Sequence, residues 1–119
     1  MMEAIARNEY DVSDYEEEED AAGPHLLRVE LQEFGYWVIT TAFDLQAEFG
    51  PFHPETGAPD AEWKVRTAAD LRERLPLSQA LFDSTVACTL APPKPETMRA
   101  LMAFCRPECF SEGSSDDEE

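Results

Sequence analysis

Basic residues are scarce in this chain. Its 119 residues include nine lysines and arginines against 26 aspartates and glutamates, which gives a formal net charge of −17 at pH 7. Binding to the phosphate backbone of a nucleic acid requires a basic face, so direct binding of DNA or RNA is disfavoured. An acidic chain could instead imitate the charge of a nucleic acid and occupy the groove of a nucleic-acid-binding protein.

Long apolar runs are also missing. No stretch approaches the roughly 18 to 20 apolar residues that a transmembrane helix needs, so no contact with a membrane is expected. The N-terminus lacks the basic flank and apolar core of a secretory signal peptide. The three cysteines are an odd number. Together these features predict an intracellular protein of the cytoplasm or nucleus with reduced thiols.

No catalytic motif is present. The sequence contains no Gly-rich phosphate loop, no paired-histidine helix and no nucleophile elbow. Cys105 and Cys109 form a single pair, whereas zinc sites usually combine two close pairs of ligands. We interpret Cys88 and Cys105 as small apolar residues on core faces, and we expect no enzyme, no metal and no cofactor. A metal- or thiol-dependent enzyme is the lesser alternative, and zinc in the purified protein would support it.

Acidic residues concentrate at the two ends, with nine in residues 1–20 and five in residues 111–119. A block of like charges with few apolar residues cannot bury enough surface to offset its ordering entropy. The sequence therefore predicts a disordered acidic arm over residues 1–23, one α+β domain over residues 24–110 and a disordered acidic tail over residues 111–119.

Serines lie within these acidic ends. Ser13 begins the sequence Ser-Asp-Tyr-Glu, and Ser114 and Ser115 directly precede four acidic residues. Both contexts suit an acidophilic kinase, and phosphate would add negative charge for a partner rich in arginine and lysine. The alternative interpretation is a solvated tail that only keeps the protein soluble.

The first half of the domain has the pattern of a β-hairpin. Leu27, Val29 and Leu31 alternate with polar residues, as in a half-buried strand. Gly35 marks a turn, and residues 37–45 form a second run rich in β-branched and aromatic side chains.

The second half predicts helices and a third, short strand over residues 85–90. Thr67 followed by Asp70 is typical of a capped helix start and opens a helix over residues 68–75. One further helical turn follows over residues 77–82, with Ser78 as its cap. The last helix begins at Pro95. Its apolar residues recur at the spacing of one helix face: Met98, Leu101, Met102 and Cys105.

The order of these elements resembles that of a known fold. A hairpin, helical segments and a short strand lead into the segment 95–105, which opens on Pro-Glu and has Leu-x-x-Phe spacing. The segment 77–82, Leu-Ser-x-x-Leu-Phe, is similar to a Ser-x-x-Phe helix of the same family. Over residues 26–106 the pattern resembles the BTB/POZ fold of elongin C and the cullin adaptors. The resemblance implies an interaction scaffold in a ubiquitin-ligase or host-regulatory context, whose hairpin edge and Met-containing helix meet a partner.

We therefore predict an α+β protein-interaction module, an adaptor or a regulator that binds and occludes another protein with a basic patch. Aromatic and methionine side chains are the usual anchors of such interfaces. The candidate contact residues are Tyr36, Trp37, Phe49, Phe52, Met98 and Met102. The alternative is an acidic decoy of nucleic acid, whose binding should weaken steeply as the ionic strength rises.

Overall fold

The computed structural model of the chain describes residues 1–16 and 24–104. In these residues the backbone forms helices and turns, with two isolated β-bridges and no sheet. The predicted α+β fold, a β-hairpin with a short third strand packed against helices, is therefore wrong.

The α-helices of the described residues are, in chain order, α1 (Met2–Ala6), α2 (Ser13–Glu16), α3 (Pro24–Ala42), α4 (Gln46–Phe49), α5 (Ala68–Arg74), α6 (Pro76–Ser84) and α7 (Pro95–Phe104). A 3₁₀ turn over Val86–Cys88 follows α6. Helix α3 is the longest of them, and α5 and α6 both pack against it.

Helix α3 covers most of the segment that was predicted as a hairpin. Its buried residues recur every three or four positions, which is the period of a helix. They are Glu30, Phe34, Trp37, Val38 and Thr41. Leu27 and Leu31, which a strand would have turned inward, are 51% and 47% exposed. Because Glu30 and Thr41 are polar, they hid the helical period, and the alternation of their neighbours suggested a strand instead.

Gly35 lies inside α3 rather than at a turn. A Cβ atom built there meets no heavy atom within 4 Å. Since glycine destabilises a helix interior by roughly 0.5–1 kcal/mol relative to alanine, Gly35→Ala should raise the free energy of unfolding by about that amount. Urea denaturation followed by circular dichroism measures the change. The matched control is Gly57→Ala, which should lower stability because Gly57 has a φ of +70°. A loss of stability in Gly35→Ala would instead favour the hairpin turn.

The predicted third strand is also helical. Residues Val86–Cys88 form the 3₁₀ turn, and side-chain hydroxyls support it locally. The Thr85 hydroxyl donates to the Leu81 carbonyl at 2.6 Å, and the Thr89 hydroxyl donates to the Thr85 carbonyl at 3.2 Å. Such bonds to the preceding turn compete with strand pairing. Cys88 is exposed, so its assignment to a core face is wrong.

Two of the helix starts predicted in the second half of the chain are confirmed. Thr67 caps α5, because its hydroxyl accepts a hydrogen bond from the Asp70 N–H at 3.1 Å. Helix α7 begins at Pro95 as predicted. Helix α6 begins earlier than predicted, at Pro76, so Ser78 lies inside the helix and is buried rather than serving as its cap.

Residues 1–16 belong to the predicted disordered arm but pack into the core instead. Ala4, Tyr10 and Val12 are buried there. The sequence predicted disorder because many residues of this segment are acidic, although these three apolar residues lie among them. Residues 17–23 and 111–119, the rest of the predicted disordered ends, lie outside the described residues.

Polar contacts attach this N-terminal segment to the rest of the chain. The Glu3 carboxylate accepts hydrogen bonds from the Leu77 and Ser78 N–H groups, each at 3.2 Å, and thereby satisfies free donors at the start of α6. Further along, the Asp11 N–H donates to the Glu62 carbonyl at 2.8 Å. Both ends of the segment are therefore tied to elements distant in the sequence.

Trp63 lies at the centre of the core and is 0% exposed. Its ring stacks on Trp37 with centroids 6.2 Å apart, and Tyr10 and Phe34 meet it edge-on at 5.9 and 6.1 Å. Its indole N–H donates to the Thr41 hydroxyl at 2.9 Å. This cluster joins the N-terminal segment, helix α3 and the segment around residue 63, and it sets the position of α3.

Candidate binding groove

An apolar groove of about 230 Å³ lies between helices α3 and α6. Its floor consists of the buried side chains of Phe34, Val38 and Phe82, which belong to the core. Leu31 on α3 and Leu81 on α6 line it as well and are 47% and 53% exposed. We refer to these five residues and the space between them as the α3/α6 groove.

The walls of the groove are held by contacts behind them. Helix α3 is fixed by Trp37, which stacks on Trp63 in the core. Helix α6 is fixed at its start by the Glu3 carboxylate and further along by Phe82, whose ring meets Phe43 edge-on at 5.2 Å. Since these contacts within the chain hold both helices, the groove is already formed in the absence of a ligand.

The N-terminus of the chain contributes to the groove. Met1 lines it and is partly buried against the core. Burial lowers the pKa of the Met1 amino group, and the nearby Glu3 carboxylate opposes that shift. The lining is otherwise apolar except for the exposed Thr85, so the groove favours apolar side chains.

A cluster of tyrosines and acidic side chains lies beside the core on the other side of α3. The Tyr10 hydroxyl donates to the Glu30 carbonyl at 2.9 Å, and the Trp37 indole N–H donates to the Glu62 carboxylate at 2.7 Å. Burial raises the pKa of Tyr10 and Tyr15, and the Glu62 carboxylate raises both further. The phenols therefore stay neutral and act as donors that hold the N-terminal segment in place.

An ion pair joins helix α7 to α4. The Arg99 guanidinium donates to both carboxylate oxygens of Glu48, at 2.5 and 3.1 Å, and holds the pKa of that carboxyl below its usual range. No residue of α7 is buried, and Leu101 and Met102 are 54% and 50% exposed. The helix thus presents an apolar face to solvent.

The six contact residues predicted from the sequence do not lie in the α3/α6 groove. Tyr36 and Trp37 touch each other with centroids 5.1 Å apart, but Tyr36 is 44% exposed and Trp37 is buried in the core. Phe49 is partly buried, and Phe52 is 43% exposed in the long loop.

The two methionines of that set lie on α7. Met98 is partly buried, whereas Met102 is half exposed. Ser13 is exposed at the start of α2, and its N–H donates to the Asp11 carboxylate at 3.0 Å. Ser114, Ser115, Cys105 and Cys109 lie outside the described residues.

Sequence reasoning missed the groove residues because it assigned α3 to strands. Leu31, Phe34 and Val38 are spaced by three and four positions, which is the helical signal that could have found one wall. The other wall, Leu81 and Phe82, falls within a segment that was predicted as helical. The pairing of the two walls depends on the packing of α3 against α6, which no local pattern reveals.

Two further properties concern the described part of the chain. Among its side chains, no three histidines, cysteines, aspartates or glutamates come close enough to hold a metal ion. No helix within residues 1–16 and 24–104 is long and apolar enough to cross a membrane, including the 19-residue α3.

Comparisons with known protein families, with curated proteins and with solved structures found no match for this chain. They neither support nor refute the BTB/POZ resemblance. The hairpin and the third strand that entered into that resemblance are helical in the structure. A function can therefore be inferred only from the geometry of the α3/α6 groove.

Proposed function

We propose that this chain is an intracellular protein-interaction module whose α3/α6 groove binds the apolar face of a helix from a partner protein. It would act as an adaptor, or as a regulator that occludes the partner's own binding face. The observation that carries this proposal is the preformed apolar groove with half-exposed leucines on both walls.

The size and lining of the groove favour side chains of a protein over a small-molecule substrate. Its volume of about 230 Å³ falls below the roughly 300–1,000 Å³ typical of small-molecule sites. Two anchored helices that enclose an apolar channel are instead typical of helix-in-groove recognition, in which apolar residues spaced by three or four positions insert as anchors. Leu31 and Leu81 would cover the sides of such an anchor.

The charge of the chain also indicates what kind of partner helix it attracts. A formal net charge of −17 attracts a partner whose helix carries lysine or arginine around its apolar face. Phosphorylation of the exposed Ser13 would strengthen this attraction by adding negative charge near the groove-bearing domain. Apolar contacts would supply most of the affinity, and the charges would raise the rate of encounter.

The groove can be tested with a pair of matched double variants. Leu31→Glu/Leu81→Glu places two carboxylates on its walls, whereas Tyr36→Glu/Phe52→Glu adds the same charge at two exposed aromatic residues outside it. Helical peptides selected from a displayed library against the wild-type protein serve as the probe, and fluorescence polarisation measures their affinity. Because burial of a leucine side chain is worth roughly 1.5–3 kcal/mol and about 1.4 kcal/mol is tenfold in affinity, loss of both leucine contacts should make the groove variant bind at least about 100-fold more weakly.

The control variant should bind the selected peptides within about threefold of the wild type, since a rim or remote charge changes affinity little. Urea denaturation of both variants checks that each remains folded. Two outcomes would contradict binding at the groove: equal losses of affinity in the two variants, or a loss in Tyr36→Glu/Phe52→Glu alone. Either outcome would instead favour the contact residues predicted from the sequence.

The net charge also favours a second candidate, the acidic decoy of nucleic acid. The same peptides distinguish the two functions through salt. An apolar interface should lose little affinity between about 0.05 and 0.5 M salt, whereas a contact made by charges is screened within a Debye length of about 10 Å or less. Steep weakening with salt, together with unchanged binding by Leu31→Glu/Leu81→Glu, would favour the decoy.

A further inference from the structure

We infer that the α3/α6 groove is filled by helix α7 of a second copy of this chain, and that each copy supplies its α7 to the other. This inference rests on the proposed function, because it treats the groove as a site for a helix. The site is incomplete in one copy, since its ligand would be a segment of the neighbouring molecule.

Helix α7 has the properties of such a ligand. Met98, Leu101 and Met102 lie at positions i, i+3 and i+4 and form one apolar stripe. Leu101 and Met102 are half exposed, and Met98 is only partly buried in the chain itself. A helix of ten residues is marginal in water and depends on packing of its apolar face for stability, so α7 requires a partner surface. The α3/α6 groove offers an apolar surface between two helices against which such a stripe can pack.

Charge favours a copy of this chain as the source of the ligand. Lys94 and Arg99 against Glu96 leave the segment 94–104 with one net positive charge, although the whole chain carries −17. Helix α7 itself carries one acid and one base, and Lys94 directly before it adds the positive charge, so the acidic groove-bearing body attracts this end of the helix. The chain therefore contains both the groove and an apolar helix that begins beside a positive charge.

Two features favour exchange of α7 between two copies over insertion of α7 into the groove of its own chain. They are the linker before α7 and the Arg99–Glu48 ion pair. Residues 89–94 connect the 3₁₀ turn to α7, and with Pro95 they include three prolines that stiffen and extend the backbone. The Arg99–Glu48 pair holds α7 beside α4 of its own chain, with Leu101 and Met102 facing solvent. Because this pair holds α7 outside the α3/α6 groove of its own chain, α7 can enter the groove of a second copy about a two-fold axis.

A complementation experiment tests the exchange. The groove variant Leu31→Glu/Leu81→Glu keeps an intact α7, and the helix variant Leu101→Glu/Met102→Glu keeps an intact groove. Light scattering after size-exclusion chromatography, in reducing buffer, should give twice the 13.4 kDa chain mass for the wild type and 13.4 kDa for each variant alone. An equimolar mixture of the two variants should regain a dimer, because one helix and one groove remain competent.

Further outcomes separate this inference from the proposed function. The variant Tyr36→Glu/Phe52→Glu is the charge-matched control and should dimerise like the wild type. A wild type that stays at 13.4 kDa up to about 1 mM, where even millimolar affinity would show, overturns the exchange. If the wild-type groove still binds the selected peptides in that case, the proposed function stands alone. If the wild type dimerises but both variants do so equally, the dimer uses another surface and the exchange is wrong.

Discussion

Deleting residues 2–12 is expected to unfold the protein, although they belong to the acidic N-terminal end of the chain. The deletion removes Ala4, Tyr10 and Val12 from the core and exposes the face of Trp63 that Tyr10 covers. Truncation of one large buried side chain costs roughly 3–5 kcal/mol, and small domains are stable by only about 5–15 kcal/mol. The loss of three buried residues therefore takes most or all of the stability. Circular dichroism and urea denaturation measure the result.

Single substitutions at Tyr10 divide this effect into its parts. Tyr10→Ala removes the ring and should cost about 3–5 kcal/mol, whereas Tyr10→Phe removes only the hydroxyl that donates to the Glu30 carbonyl and should cost about 1–2 kcal/mol. Deletion of residues 111–119 serves as the control and should change stability by less than about 0.5 kcal/mol. A deletion of residues 2–12 that leaves the unfolding curve unchanged would restore the prediction of a disordered arm.

The packing of this segment also changes how the decoy function can be tested. Removing residues 1–20 together with the acidic tail would abolish partner binding by either mechanism, because residues 1–16 support both walls of the groove. Neutralising Glu17, Glu18, Glu19 and Asp20 to their amides removes charge from the arm and leaves Ala4, Tyr10 and Val12 in place. That substitution lowers only the electrostatic attraction, so it can distinguish a charge-driven contact from an apolar one.

Local signals in the sequence were reliable where one residue fixes the backbone. Thr67 with Asp70 predicted the start of α5, and Pro95 predicted the start of α7, because a cap and a proline act within a single turn. The alternation of Leu27, Val29 and Leu31 failed, because it extended over only five residues and the polar residue Glu30 is among the buried ones.

Other features depended on tertiary contacts that no local pattern contains. Glu30 and Thr41 are buried, and their partners lie far along the chain: the Tyr10 hydroxyl donates to the Glu30 backbone carbonyl, and the Trp63 indole N–H donates to the Thr41 hydroxyl. Glu30 looks like a solvent-facing position in the sequence, and Thr41 fits the inner face of a strand that also contains Trp37, so the buried face of α3 was assigned the period of a strand. The α3/α6 groove was hidden for the same reason, since one of its walls is that helix.

Trp63→Ala is the single substitution expected to cost most. It leaves a cavity in contact with Trp37, Tyr10 and Phe34 and removes the indole donor to Thr41. Loss of a fully buried tryptophan costs roughly 3–5 kcal/mol, which is at least about a fifth of the roughly 5–15 kcal/mol by which a small domain is stable. Urea denaturation followed by circular dichroism should show an earlier midpoint.

Trp63→Phe separates packing from hydrogen bonding, because it keeps an aromatic ring in the stack but loses the N–H donor. Its cost should be smaller, about 1–3 kcal/mol, since the Thr41 hydroxyl still donates to the Trp37 carbonyl at 2.6 Å. Tyr36→Ala, at a 44% exposed ring on α3, is the matched control and should cost less than about 1 kcal/mol. Because its stack with Trp37 fixes α3, Trp63→Ala should also loosen that wall of the groove and weaken helix binding, although Trp63 does not line the groove. A Trp63→Ala variant that keeps the wild-type unfolding midpoint would contradict the central place of Trp63 in the core.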